Sequence, residues 1–170
     1  MKVFTIGHSN KTYESFLGLL ELHGVNLVID VRSAPVSKYV PHFNHDALEA
    51  KLQASGIDYE FMGDRLGGRP RGQEDFKPDG APDYEKMAAN EYFIEGLGIV
   101  ERIAERSVPC LLCSEEDPAD CHRSKLVSAE IAARGAVEVV HILGNGDTEA
   151  EADNAKRRVK AADKQLGLTF

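Results

Sequence analysis

The sequence predicts an α/β protein with about five mostly parallel strands in a three-layer, doubly wound sandwich of the Rossmann-like type. Short apolar runs rich in β-branched residues alternate along the chain with stretches in which apolar residues recur at helical spacing. The junctions carry turn or capping residues, such as Gly24 and Gly56 after two helical stretches. Strands that alternate with helices in this way are typical of a parallel sheet covered by helices on both faces.

The predicted elements follow one another in this alternating order. Strands are expected at 2–6, 25–31, 57–62, 108–113 and 137–143, and helices at 12–23, 44–55, 83–106, 121–134 and 147–165. The segment 25–31 is nearly unbroken in its apolar character, as in strands that are covered on both faces. Within 83–106 we expect a break near Gly96 or Gly98, because glycine weakens a helix.

We expect residues 1–170 to form a single domain, since domains commonly contain roughly 100–200 residues. The predicted α/β core spans 1–143, and 144–170 are expected to form a peripheral C-terminal helix or tail. Residues 63–82 are predicted to form a long basic loop rich in Gly and Pro, and loops of this length are usually functional or mobile.

Composition excludes several classes of protein. The 28 acidic residues outnumber the 20 basic ones, and the net charge of −8 argues against bulk electrostatic capture of nucleic acid, though not against a local basic patch. No apolar run approaches the ~20 residues of a membrane span, so no membrane association is expected. The three cysteines are too few for a disulfide framework, which favours the reducing cytoplasm.

The sheet prediction also predicts where a ligand binds, because doubly wound sheets bind ligands outside the carboxyl ends of their strands. Polar, cationic and thiol residues follow the predicted strands at that edge. They are His8 and Ser9 after the first strand, Asp30, Arg32, Ser33 and His42 after the second, Gly67, Gly68 and Arg69 after the third, and Cys113, Glu115, Cys121, His122 and Arg123 after the fourth.

The segment after the fourth strand has the most reactive side chains. Cys121, His122 and Arg123 are predicted in the first turn of a helix capped by Asp120, where free N–H groups favour an anion. Arg123 can then bind a phosphate through two donors, and the same position lowers the pKa of Cys121. In the alternative interpretation Cys121 packs inward, and Arg123 pairs with an acidic neighbour such as Glu115 or Asp120.

The spacing of the cysteines argues against a metal site. Cys110, Cys113, Cys121 and His122 are possible ligands, but Cys110 and Cys113 lie three residues apart on a strand and therefore face opposite sides. The usual CxxC clip is absent for that reason, and no second clip exists in the sequence. The sequence thus predicts neither a metal nor a cofactor, and a redox pair of Cys113 and Cys121 is only weakly indicated.

Two further segments admit both a structural and a functional interpretation. Asp30 and Arg32 face the same side, so Asp30 either pairs with Arg32 in the interior or orients it toward a ligand. The arginines between Arg65 and Arg71 form a basic cluster around Gly67 and Gly68, which let a ligand approach the backbone closely. A solvated loop is the alternative.

Five segments occur in order and together form a recognisable pattern: 5–9 (TIGHS), 30–35 (DVRSAP), 41–44 (PHFN), 66–70 (LGGRP) and 113–123 (CSEEDPADCHR). In this pattern the chain resembles the family known as domain of unknown function 488, over about four-fifths of its length. The resemblance implies a cytosolic α/β domain of mostly prokaryotic distribution. It implies no reaction, because the family has no settled activity, so the motif residues are candidates only. Lys38 and Ser114 stand where the family commonly has Arg and Ala.

A second, weaker resemblance is to rhodaneses, in which a strand also ends in Asp-Val-Arg, as 27–32 do here. It implies sulfur transfer on Cys113 or Cys121. The acidic residues between the two cysteines disfavour a persulfide.

We therefore expect a hydrolase or transferase that binds a small phosphate-bearing ligand, nucleotide-like or part of a nucleic acid. Arg32, Arg69 and Arg123 would clamp the phosphate, His8 or His122 would serve as acid or base, and Glu115 would orient water. The alternatives are a rhodanese-like sulfurtransferase and a non-catalytic binding module. The sequence leaves the oligomeric state open.

Overall fold

The computed structural model describes residues 1–167, and the side chains of residues 1–164. Its strands are β1 (Lys2–Gly7), β2 (Leu27–Asp30), β3 (Asp58–Phe61), β4 (Pro109–Cys113), β5 (Glu138–Ile142) and β6 (Thr148–Ala150). Its α-helices are α1 (Tyr13–Leu22), α2 (His45–Ala54), α3 (Gly63–Leu66), α4 (Tyr84–Ala88), α5 (Glu91–Ala104), α6 (Ala129–Arg134) and α7 (Glu151–Gly167).

The strands form one sheet in the order β3-β2-β4-β1-β5-β6. Every pairing among β1 to β5 is parallel, which confirms the predicted α/β sandwich. The sixth strand, which pairs antiparallel with β5, was predicted as the start of a helix. That prediction was wrong because a tight turn with Gly146 at φ +90° reverses the chain and returns residues 148–150 to the sheet edge.

Apolar layers cover both faces of the sheet. One layer packs α1 and α2 against the sheet through residues such as Phe16 and Leu52, which are fully buried. The other packs α5 and α6 through residues such as Leu97 and Ile131. This double covering is the physical reason for the unbroken apolar run in the second strand.

Helix 83–106 is interrupted, but not at a glycine. The break falls between α4 and α5, where the Asn90 side chain accepts a hydrogen bond from the Tyr92 N–H at 2.9 Å and caps α5. Gly96 stays helical, and a Cβ there would lie 2.9 Å from the Leu66 side chain. The glycine therefore allows α5 to approach α3 closely.

The predicted loop 63–82 is partly structured. It begins with α3, continues through a 3-10 turn at Gln73–Asp75, and closes with a bridge between Phe76 and Pro82.

Residues 117–134 are also more varied than one helix. A 3-10 turn at Pro118–Asp120 precedes a π-helix at Arg123–Ser128, which passes directly into α6. Asp117 caps only the 3-10 turn, where its carboxylate accepts from the Ala119 N–H at 2.9 Å. The π-helix has no side-chain cap among the described residues, so the predicted Asp120 cap is wrong, and Cys121 lies in extended backbone before the helix instead of in its first turn. Segments of π-helix are rare and often occur at functional sites.

The C-terminal helix predicted at 147–165 is present as α7, and the last three residues of the predicted tail, 168–170, lie outside the described residues. In the part of the chain that is described, no helix combines the length and apolar character needed to cross a membrane.

The connections of the sheet create a crevice. After β2 the chain passes to the face covered by α2, whereas after β4 it passes to the opposite face, covered by α6. Neighbouring parallel strands whose connections leave on opposite faces form an open crevice at their carboxyl ends. In this protein the crevice lies between Asp30 and Cys113.

Candidate functional site at the sheet edge

A cleft of about 280 Å³ occupies the crevice between β2 and β4, and we call it the rim cleft. Its walls come from the segments after β2, β3 and β4, as the sheet prediction requires. It is lined by Arg32, Ser33, Ala34, Gly68, Arg69, Tyr84, Cys113, Ser114, Glu115, Asp120 and His122.

A second cleft of about 260 Å³, here the loop cleft, lies beside the first. Gly67, Arg65 and Arg71 contribute to its lining, and Ser33 and Arg69 line both clefts. The Ser33 hydroxyl accepts a hydrogen bond from the Arg69 backbone N–H at 3.1 Å, which fixes the wall that the clefts share. The two clefts therefore form one continuous candidate surface.

Four potential metal-binding or reactive groups meet at the rim cleft; three of them line it, and Cys121 is buried directly beside them. We call Cys113, Glu115, Cys121 and His122 the thiol cluster; one ligand atom of each lies within 4.8 Å of the others. The Cys113 and Cys121 Sγ atoms lie 2.9 and 3.0 Å from Glu115 Oε2 and 3.5 and 3.9 Å from His122 Nδ1. All three cysteines of the chain are free thiols.

Local chain geometry builds this cluster from one short segment, 113–122. Cys113 ends β4, and the 3-10 turn at Pro118–Asp120 brings Cys121 back to it. His122 Nε2 lies 3.0 Å from the carbonyl oxygen of Val31 and donates to it across the crevice. Because Nε2 carries that proton, the ring turns Nδ1 toward both sulfur atoms.

The four groups shift one another's pKa values. Burial raises the pKa of Cys121, but hydrogen bonds with Cys113 and His122 and the charge of Arg123 outweigh it and lower the value to about 6. The hydrogen bond with Cys121 and burial together raise the pKa of Cys113. Cys121 is therefore the more acidic thiol.

Glu115 and His122 complete this electrostatic pattern. Burial raises the pKa of Glu115, but the hydrogen bonds from the two thiols lower it by more, so the pKa lies below its usual value. Burial lowers the pKa of His122, whereas its hydrogen bond with Cys121 raises it and prevails. The shifts of Cys121, His122 and Glu115 therefore all favour the charged form of the group.

Cys110, by contrast, lies in the apolar core on the α1 and α2 side of the sheet. The prediction that Cys110 and Cys113 face opposite sides is confirmed. The missing CxxC clip does not keep potential ligands apart here, because the turn after β4 brings Cys121 and His122 back to Cys113.

Arg123 is not where the phosphate clamp requires it. The guanidinium is fully buried and donates to the backbone carbonyls of Glu115 and Glu116 and, at 3.2 Å, to the Thr5 hydroxyl. The predicted ligand contact of Arg123 is therefore wrong, because its donors hold the 115–116 backbone in place. The predicted pairing with an acidic side chain is also replaced by these carbonyl contacts.

Asp30 and Arg32 form the interior pair that the sequence left as one of two options. The Arg32 guanidinium contacts both carboxylate oxygens of Asp30, with Nη2 to Oδ2 at 2.6 Å, and also donates to the Phe43 carbonyl at 2.8 Å. Arg32 nevertheless lines the rim cleft. The pair thus positions a cation at the cleft wall.

His8, Ser9 and His42 lie beside the crevice and do not line the rim cleft. His8 Nδ1 donates to the Ser9 carbonyl at 2.8 Å, and its Nε2 accepts from Arg32 at 3.1 Å. With both ring nitrogens engaged, the expected acid or base role of His8 is not supported. Ser9 has φ +47° in the turn after β1, and His42 Nε2 lies 2.9 Å from the Lys11 carbonyl oxygen.

Among the residues that the structure describes, two arginines of the basic cluster pack on an aromatic ring, and the third does not. Arg65 and Arg71 stack on the Tyr92 ring at 3.9 and 4.1 Å from its centroid. The Arg69 guanidinium makes no hydrogen bond or ion pair with the described residues. Gly68 abuts His122, where a Cβ would lie 2.8 Å from Nδ1. The glycine is needed for this close approach.

Four residues that line the rim cleft were not predicted, and one of them, Ala34, directly follows the predicted Ser33. Ser114 and Asp120 lie inside the motif after β4, so their position next to Cys113 and Cys121 was a usable signal. Tyr84 comes from α4, beyond the long loop, and nothing in its local sequence indicates that it reaches the cleft.

The fold and the site define a doubly wound α/β protein with a polar cleft at the carboxyl edge of its sheet. Comparison with known families matches residues 12–129 to DUF488, a domain of unknown function. The chain belongs to this family, which confirms the family resemblance, and four of the five motifs lie within the matched residues. No curated protein and no solved structure matches the chain.

Proposed function

We propose that the protein is a hydrolase or transferase that acts on a phosphate-bearing, nucleotide-like ligand. The phosphate would bind at the wall shared by the two clefts, and the reacting bond would lie over the thiol cluster. We also propose a cytoplasmic location, since the free thiols suit a reducing compartment.

The observation that carries this proposal is the position of Arg69. Its guanidinium lies on the shared wall and has no partner among the described side chains, whereas Arg32 beside it is compensated by Asp30. A guanidinium offers two parallel donors that match phosphate oxygens. Arg69, whose guanidinium has no such partner among the described residues and lies next to a cluster of reactive groups, is therefore suited to bind an anionic substrate.

The shape of the surface supports a ligand larger than inorganic phosphate. The two clefts have volumes of about 280 and 260 Å³ and share one wall, so a ligand with two parts can occupy both. A net charge of −8 favours a small nucleotide-like molecule over a long nucleic acid, which would need an extended basic surface.

The groups at the cleft floor can supply the chemistry. Glu115 lies at the entrance of the thiol cluster and can accept a proton from water or a hydroxyl group. His122 is fixed by Val31 and can transfer a proton through Nδ1. These roles replace the one considered for His8, which is engaged elsewhere.

A rhodanese-like sulfurtransferase is the second candidate. Two free thiols lie close together here: Cys113 lines the rim cleft, and Cys121 is buried beside it, two residues before the π-helix. The Glu115 carboxylate lies 3.0 Å from Cys121 Sγ and opposes a negatively charged persulfide. We therefore place this function second.

Thermal unfolding in the presence of nucleotides, sugar phosphates, inorganic phosphate and persulfide donors tests the proposal. A ligand at 100 times its Kd stabilises the fold by ~2.7 kcal/mol, and Arg69→Ala should abolish that effect while unfolding normally without ligand. Arg106→Ala, at a groove near the amino ends of the strands, is the matched control and should retain it.

Assays of turnover then separate the remaining possibilities. Release of phosphate or transfer of the group from a ligand that stabilises the protein supports an enzyme, whereas stabilisation without turnover indicates a binding module. The proposal fails if no phosphate compound stabilises the fold, or if Arg69→Ala and Arg106→Ala respond equally. Sulfur transfer that Cys121→Ala abolishes would establish the second candidate instead.

A further inference from the structure

We infer that the thiol cluster is a zinc site in which Cys113, Cys121 and His122 bind the ion and the Glu115 carboxylate completes a tetrahedron. The inference stands on the placement of these four residues and does not require the proposed phosphate ligand.

The distances in the cluster match this geometry. With zinc bonds of about 2.3 Å to sulfur and about 2.1 Å to nitrogen or oxygen, neighbouring ligand atoms in a tetrahedron lie about 3.6 Å apart. The two thiol sulfurs lie 3.5 and 3.9 Å from His122 Nδ1. The Glu115 oxygen is closer to both, at 2.9 and 3.0 Å, and a shift of well under 1 Å brings it to the tetrahedral distance.

His122 is already arranged as a metal ligand. Its Nε2 donates to the Val31 carbonyl at 3.0 Å, so the unprotonated position in the neutral ring is Nδ1, which faces the thiols. Histidines that bind metals almost always donate their other N–H to such a partner, which orients the ring. This contact is independent of the thiol and carboxylate positions.

The charges of the cluster also favour a cation. Two thiols and a carboxylate converge there, and the guanidinium of the adjacent Arg123 directs its donors to Thr5 and to the carbonyls of Glu115 and Glu116. A divalent ion compensates the charge of two thiolates. Sulfur and imidazole ligands select zinc over magnesium or calcium, which prefer oxygen.

One of the four ligands, Glu115, is placed where water or another ligand could replace it on the ion. Cys113 and Cys121 are buried, whereas Glu115 is exposed and lines the rim cleft. Water or a ligand oxygen can therefore reach the ion by displacing the carboxylate. If the proposed function is correct, the ion would lie beside the phosphate wall, and this part of the inference rests on that proposal.

Metal titration of the full chain tests the site. Protein treated with a chelator under reducing conditions should bind a single Zn²⁺ per chain, measured by competition with a chromogenic chelator. Binding should release protons, because the thiols must ionise. Co²⁺ in the same site should give the intense visible bands of tetrahedral coordination together with a thiolate charge-transfer band.

Variants assign the ligands. Cys113→Ser and Cys121→Ser should each weaken zinc binding by more than the roughly 100-fold lost when a supporting residue is removed, and should diminish the charge-transfer band. Cys110→Ala is the matched control, since Cys110 lies in the core, and it should bind zinc as the wild type does. Glu115→Gln should weaken binding less and keep the charge-transfer band.

Several results would overturn the inference. They are a wild-type chain that binds no stoichiometric Zn²⁺ after reduction, a Co²⁺ spectrum without thiolate bands, and equal losses in Cys110→Ala and Cys121→Ser. A Cys113–Cys121 disulfide in the isolated protein, with no zinc bound after reduction, would establish a redox pair instead. Arg69→Ala should bind zinc normally, so failure of phosphate binding and failure of zinc binding are separately visible.

Discussion

The Arg32 guanidinium forms a bidentate ion pair with the Asp30 carboxylate in the interior, with Nε to Oδ1 at 2.8 Å and Nη2 to Oδ2 at 2.6 Å. Both side chains are almost completely buried. The Tyr59 hydroxyl donates to the same carboxylate at 2.7 Å, and Arg32 also reaches the Phe43 carbonyl. The pair therefore ties the end of β2 to β3 and to the segment that leads into α2.

Asp30→Asn should destabilise the protein strongly. The substitution leaves the buried Arg32 charge without its partner, and breaking a buried pair from one side costs about 3–5 kcal/mol. Urea denaturation measures the loss. Glu138→Gln, which removes an exposed contact with Lys2 at 3.7 Å, is the control and should cost about 1 kcal/mol or less. Equal losses in the two variants would show that the interior pair has no special role.

His8 should make stability depend on pH. Burial, together with the charge of Arg32, lowers the pKa of His8 from 6.5 to about 4, although the hydrogen bond to Ser9 opposes this shift. The unfolded chain therefore binds a proton at His8 before the native state does. Stability should fall as the pH decreases from 6.5 toward 4, by up to about 3 kcal/mol.

Urea denaturation at several pH values and NMR titration of the His8 ring check this prediction. His8→Gln should flatten the pH dependence in that interval, because the glutamine does not titrate. A ring that titrates near 6.5, or parallel pH curves for the wild type and the variant, would contradict it.

Most of the fold could be predicted because its signals are local. Apolar runs and capping residues place β1 to β5 and the long helices, and strand–helix alternation then gives the parallel sheet. The short strand β6 was missed because its three residues carry no periodicity and are recruited by the edge of β5. The break at Asn90 was missed because an asparagine cap within a helical pattern is a weaker signal than a nearby glycine.

The site was predicted at the right edge of the sheet, but the direction of its side chains was not. Sequence order does not show whether Arg123 faces the cleft or the interior. Its direction is set by the buried Thr5 hydroxyl and by the backbone carbonyls of Glu115 and Glu116, which accept its hydrogen bonds. The meeting of Cys113 with His122 depends on the 3-10 turn between them and on the Val31 carbonyl. Contacts of this kind are set by tertiary structure.

Glu151→Gln should loosen the C-terminal helix. The Glu151 carboxylate accepts hydrogen bonds from His141 at 2.7 Å, Arg158 at 2.7 Å and the Ser124 hydroxyl at 3.0 Å, which join α7 to β5 and to the π-helix. Hydrogen bonds to a charged group contribute about 1.5–3 kcal/mol each, so their weakening should expose α7 to limited proteolysis. Asp153→Asn, on the exposed side of the same helix, should be cleaved as slowly as the wild type.

The Glu151 carboxylate should also make the stability of the wild type fall at acid pH. Burial raises the pKa of Glu151, but the hydrogen bonds from His141 and Arg158 outweigh it and hold the pKa below the usual 4.5. Its contribution is therefore present above pH 4.5 and is lost as the pH falls through the lowered value. Rates of α7 cleavage that rise in acid for the wild type, and less for Glu151→Gln, would support this assignment. Identical acid dependence in the two proteins would refute it.

Gly68→Ala should weaken binding at the rim cleft while leaving the sheet intact. An added Cβ would lie 2.8 Å from His122 Nδ1 and closer still to the ring carbon, so the imidazole must move away from the thiols and from Val31. We expect a fold weakened by about 1–3 kcal/mol, as in other overpacked sites, together with weaker binding of Co²⁺ and of any stabilising phosphate compound. Gly18→Ala, where a Cβ meets nothing within 4 Å on α1, is the control and should stabilise the protein by roughly 0.5–1 kcal/mol with normal binding. NMR of the His122 ring distinguishes local displacement from general loosening, and an unshifted ring with full binding in Gly68→Ala would show that this contact does not position His122.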